Sequence, residues 1–246
     1  MAKKELSSEI SEDIVSAAGD DIVTGTPTSL APLGSEVVGE FGMDDVSFPR
    51  LQIAQGVGPL SDSFAKGDIV LEGEHKLAGM TTESKDGGTV EFTVLRITKT
   101  FEEDIPFDSG ELPRVASTKE EVLRLGGTTE WGRDEAGEGI KPSFKPCADA
   151  LICIKGDADD KSLYPYEFGD EVYTFAQWKI KGVAYTRAAK QIITAATMYY
   201  RSGLKTGSFI MTTEKAVFGG NTVGVPRVLR GSFHGAEFTV WLGEFA

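Results

Sequence analysis

Cysteine and histidine are scarce in this chain: its 246 residues hold two of each, Cys147, Cys153, His75 and His234. A zinc site would need all four to converge, whereas structural zinc is usually held by ligand pairs two to four residues apart. The two cysteines are six apart in a stretch that reads as a strand, which puts them on one face and too far apart along it for a disulfide. They are expected to be reduced thiols, in the core or at the surface, of a cytosolic protein. Long apolar runs are missing too. Nothing approaches the ~18 residues of a membrane-spanning helix, and the polar, acidic stretch from Met1 to Glu12 is unlike a secretory signal.

Recognisable catalytic patterns are absent as well. There is no G-x-x-x-x-G-K-S/T phosphate loop, no G-x-S-x-G elbow and no H-E-x-x-H pair. His75 and His234 have no local companion that would make either a base, so both are expected at the surface. Asp157-Ala158-Asp159-Asp160 lacks the glycine and distal glutamate of an EF-hand loop and reads as a solvated turn. No catalytic residue, metal ligand or cofactor is nominated, and the chain is expected not to be an enzyme. A nuclease with a dispersed carboxylate site is the remaining enzymatic alternative.

Positive charge is the minority sign, with 25 Lys and Arg against 38 Asp and Glu and a net charge of −13. Such a total argues against a nucleic-acid partner, but its distribution changes the meaning. Residues 1–46 hold ten acids and two bases, whereas 172–233 hold nine bases and the single acid Glu214. The bases Lys179, Lys181, Arg187, Lys190, Arg201, Lys205, Arg227 and Arg230 form the pool for phosphate contacts. Aromatics run through the same segment, and flat rings beside cations are what a single strand of nucleic acid requires. Trp178, Tyr185 and Phe209 are the candidate stacking residues, joined by Trp131 from a glycine-rich loop. The competing reading makes these rings core and the bases a solvated face. Period-two alternation puts Lys179 and Lys181 on one side of their strand and Trp178 on the other. That favours Trp178 as core, with tyrosines and loop aromatics as stackers.

Residues 1–46, acidic and rich in Ser, Gly, Thr and Pro, read as a flexible arm. Residues 47–246 read as a single domain. Strands are expected over Phe48–Ile53, Ile69–Leu71, Thr89–Lys99, Ala148–Lys155, Glu171–Val183, Ser208–Thr213, Val223–Leu229 and Ala236–Leu242, with turns at Gly219-Gly220-Asn221 and Gly231. A short helix is expected from Thr118 to Leu125, inside a Gly-rich insertion around 102–146. One long helix is expected from Thr186, as its cap, to Arg201, with Ala188, Ile192, Ala195 and Tyr199 as its apolar stripe. Strands in this number with one principal helix between them suit a partly open, OB-fold-like β-barrel, with a sandwich as the other option.

Phe48-Pro49-Arg50-Leu51-Gln52-Ile53-Ala54-Gln55 with Gly67-Asp68-Ile69 resembles the start of a group of tailed-phage single-stranded-DNA-binding proteins. Trp178-Lys179-Ile180-Lys181-Gly182-Val183-Ala184-Tyr185 followed by Ala188-Ala189-Lys190 resembles their later strand-to-helix block, and Val225-Pro226 fits too. The resemblance spans roughly 48–230. It implies an OB-fold protein that protects single strands in the host cytoplasm during DNA replication, recombination or repair. Members often end in an acidic tail with a terminal aromatic, whereas Trp241-Leu242-Gly243-Glu244-Phe245-Ala246 holds one acid. Any such tail function would have to sit in residues 1–46. The expected partners are single-stranded DNA and, through the acidic arm, phage or host replication and recombination proteins. No membrane is expected, and a homo-oligomer is compatible with the sequence. The alternative function is a phage structural or assembly protein that binds no nucleic acid.

Overall fold

The computed structural model describes residues 47–80, 88–106, 109–218 and 220–245. The acidic arm assigned to 1–46 and Gly219 of the expected turn lie outside the described residues. The protein is mainly β. Its largest sheet runs in the order β12 (Asn221–Phe233), β11 (Gly207–Phe218), β4 (Val90–Glu103), β8 (Phe144–Lys155), β10 (Glu171–Lys181), β9 (Tyr166–Phe168), with β5 (Val115–Ala116) paired to β4. All its pairings are antiparallel. A second sheet joins β1 (Leu51–Ile53), β2 (Ile69–Leu71) and β3 (His75–Ala78). A small hairpin of β6 (Gly132–Arg133) and β7 (Gly139–Ile140) sits in the insertion.

Alternation along the strands builds two large cores, one on each face of the sheet, beside a small third cluster of Phe101, Ala116, Val122 and Phe144. Val90, Phe92 and Val94 of β4, Ile152 and Ile154 of β8 and Trp178 and Ile180 of β10 point to the first. There they meet Leu51, Ile69 and Leu71 of the small sheet and Ile192 of the main helix. The opposite face carries Leu95, Leu151, Cys153, Tyr173 and Phe175, covered by Phe238, Leu242 and Phe245. Strand β4 serves both cores through a bulge. Val94 pairs with Ile152 and Arg96 with Leu151, so Leu95 is an extra residue that turns to the second core, while Ile97 returns to the first.

Three expectations of secondary structure need correction, the first being the turn at Gly231, through which β12 continues to Phe233. Residues Ala236–Gly243 form a helix, α3, and not a strand. Phe238, Val240 and Leu242 alternate, but Phe238, Leu242 and Phe245 recur at helical spacing and are buried, whereas Val240 is exposed. The main helix begins as a π-helical turn over Tyr185–Ala189 and continues as α2 over Lys190–Met198. Thr186 therefore lies inside it and does not cap it. Because α2 stops at Met198, Tyr200 takes the buried place assigned to Tyr199, which is exposed. The short helix holds as read: α1 spans Lys119–Arg124, with the Thr118 side chain accepting from the Glu121 amide.

The small sheet links β12, at one end of the large sheet, to β10, the strand next to its other end. Gln177 of β10 donates its amide to the Pro49 carbonyl at 2.9 Å. Six residues further on, the Gln55 carboxamide donates to the Gly224 carbonyl of β12 at 2.9 Å and accepts from the Gly224 amide at 3.1 Å. Behind it, Thr213 donates to the Gly67 carbonyl. Backbones touch at this point: a Cβ on Gly224 would lie 2.6 Å from the Gly67 Cα.

Candidate nucleic-acid interface

Where β10, β1 and β12 meet, a groove of about 1440 Å³ opens. The outer face of β10 explains its chemistry. Tyr173 and Phe175 lie under α3, but past Gln177 the same face carries Lys179 and Lys181. One wall is β1 with the following loop, which brings Arg50, Gln52, Val57 and Lys66; the other is the start of β12, from Gly220 to Pro226. The stem of Lys66 crosses Gly56 so closely that a Cβ there would stand 2.6 Å from its Cε. The lining thus combines four cations, the carboxylate of Asp149, the amides of Gln52, Gln177 and Asn221, and apolar surface from Val57, Leu60, Val183 and Val223.

The lysines are held from below. Lys179 and Lys181 both donate to the carboxylate of Glu102 on β4, the latter at 2.9 Å. Burial pushes the Glu102 carboxyl up, but hydrogen bonds from the two lysines outweigh it and hold the group below the usual carboxylate range. Burial lowers Lys179, and the bond to Glu102 overcomes this and raises it. Cys147, between them on β8, is pushed up by burial and by the Glu102 charge. Both cysteines are free and buried on the same face of β8, as alternation requires.

The eight candidate phosphate contacts do not form one track. Only Lys179 and Lys181 line the groove. Arg187 and Arg227 follow closely on the groove residues Ala184 and Pro226, and Arg187 lies 3.8 Å from Glu214. Lys190 and Arg201 are exposed. Arg230 sits 4.1 Å over the ring of Tyr199, and Lys205 reaches toward Gly243 in α3. Arg50 and Lys66 were missed. Their signal was the Pro49-Arg50 start and the Gly56-Val57-Gly58-Pro59 break, which forms the groove rim.

The stacking candidates need correction. Trp178 is 3% exposed, Tyr185 7% and Phe209 1%. Phe92 joins two of them in the first core, edge-on to Trp178 and stacked on Phe209. A base reaches Tyr185 and Phe209 only if the core opens, so they are packing residues; Trp178 is packed too, as alternation requires, but contributes to the groove lining. Trp131 differs, being 68% exposed beside the β6–β7 hairpin, with Gly139 under its ring.

His234 was expected at the surface but is half-buried. It lies 2.7 Å from the Thr93 hydroxyl and edge-on to Phe238. It lines a small pocket of about 260 Å³ with Glu91, Lys155 and Glu171. Among the described residues no group of three or more His, Cys, Asp or Glu is placed to hold a metal ion, and no helix is long and apolar enough to cross a membrane. Comparison with family models, curated proteins and solved structures gives no match to this chain.

Proposed function

We propose that this is a non-catalytic single-stranded DNA-binding protein that takes the strand into the groove between β10, β1 and β12 with little sequence preference. The observation that carries the proposal is the lining of that groove, where Arg50, Lys66, Lys179 and Lys181 stand around amides and apolar side chains. Cations meet phosphates, while the apolar surface and the amides meet bases. Bases are available to such a surface only when unstacked, which favours a single strand over a duplex, whose base faces are hidden. Because the core aromatics are shielded, affinity comes chiefly from phosphates and the apolar lining. Stacking is left to Trp131 and other exposed rings. The contacts of β1 with β10 and with the end strand β12 favour an OB-fold-like closure. The resemblance to tailed-phage proteins adds a role in DNA replication, recombination or repair in the host cytoplasm.

The test is fluorescence anisotropy with a labelled ~30-mer oligo-dT, its duplex and an RNA of equal length, each at several salt concentrations. Single-strand binding that weakens linearly in log–log against salt is expected, with a slope that counts the phosphate contacts. Absence of binding at low salt would remove this reading and favour a structural or assembly role.

A further inference from the structure

We propose that Glu102 is an internal competitor for the phosphate seat of the groove, occupying Lys179 and Lys181 until a strand displaces it and thereby setting both affinity and salt dependence. The proposal rests on the groove being a single-strand site. A carboxylate and a phosphate ask the same of a lysine, namely a negative oxygen at hydrogen-bond distance. Glu102 already supplies one oxygen to each ammonium. The two sides of this contact are unequal. The Glu102 side chain is 11% exposed and fixed on the central strand β4, whereas the lysine side chains are 47% and 62% exposed. The ammonium groups can therefore swing toward a ligand while the carboxylate stays where it is.

The consequence is thermodynamic. Each phosphate that a lysine neutralises releases cations condensed on the strand, and that release drives binding. When Lys179 and Lys181 leave their shared carboxylate for phosphates, the bared Glu102 attracts a cation in turn and cancels one such release. Its vacated charge also repels the strand at short range. Wild-type protein should bind more weakly, and with a flatter salt dependence, than the number of cations in the groove implies.

The experiment compares wild type, Glu102→Gln and the triple variant Glu102→Gln, Lys179→Gln, Lys181→Gln, using labelled ~30-mer oligo-dT across a salt series. Glu102→Gln is expected to bind about tenfold tighter at low salt. Its log–log salt slope should steepen by about 0.7, the contribution of the single charge that Glu102 removes. Both gains should vanish in the triple variant. Should circular dichroism show Glu102→Gln to be unfolded, Glu102→Ser, also neutral but smaller, decides in its place. A wild type that binds while the neutral variant binds no tighter and keeps its slope overturns the proposal, leaving Glu102 as a structural prop. A wild type that does not bind oligo-dT at low salt overturns the reading of the groove as well.

Discussion

The Gln55 side chain pairs with Gly224 as a neighbouring strand would, donating to its carbonyl and accepting from its amide. One carboxamide thereby satisfies both backbone groups of a residue on β12, the end strand of the large sheet, and fixes the width of the groove between them. Removing it leaves a part-buried donor and acceptor unpaired. Gln55→Ala should cost about 1–3 kcal/mol of stability, read as a lower urea midpoint, and weaken oligonucleotide binding beyond that loss.

Gly224 has a second constraint in its contact with Gly67. A methyl group there would press on backbone and not on a yielding side chain. Gly224→Ala should lower stability by about 3 kcal/mol, whereas Gly220→Ala meets no atom and is penalised only for its positive φ. Thermal melts of the two variants separate crowding from backbone strain.

Buried and exposed aromatics should part in opposite assays. Phe209→Ala is expected to lose about 3–5 kcal/mol of stability through the cavity it leaves. Trp131→Ala should change stability by less than about 0.5 kcal/mol. Any loss of oligo-dT affinity in the Trp131 variant, at unchanged stability, would assign it a stacking role.

Among the cations, Arg50→Gln and Lys66→Gln should each weaken single-strand binding and flatten the salt slope by about 0.7. Lys205→Gln, at the far side beside α3, should leave both unchanged. Equal effects from all three would mean that the strand does not follow the groove.

His234 sets a pH dependence of stability. Burial drives its pKa below the usual histidine value, and Lys155 adds to this, while Glu91 and Glu171 oppose it. The unfolded chain then binds the proton more readily than the folded one, so stability falls as pH drops below about 6.5 and levels off below the folded pKa. His234→Gln keeps a polar partner for Thr93 and should flatten the stability profile across that window. An unchanged profile by chemical denaturation would exclude His234 as its source.

Much of the sheet was legible in the residues because alternation is a local signal. Val90, Phe92 and Val94 marked the inner face of β4, and Lys179 and Lys181 were correctly assigned to the side opposite Trp178. Three features were not legible. In Ala236–Gly243 the periods of strand and helix both fit, and only burial of Phe245 decides between them. Burial of Tyr185 and Phe209 depends on strands far away in sequence. The groove itself joins Arg50 and Lys66 to β10 across more than a hundred residues and Asn221 across about forty, a juxtaposition that no local pattern encodes.

The bulge at Leu95 divides β4 into two halves of opposite parity. Were the strand regular, with Leu95 paired to Leu151, every side chain from Arg96 onward would change sides, and Glu102 would join the face that now carries Phe101. A single insertion in the pleat thus decides whether a carboxylate meets two ammonium groups or a hydrocarbon interior. How the lysines of the groove are paired is, in that sense, a matter of counting residues along a strand about thirty positions away from the nearest wall of the cleft in sequence.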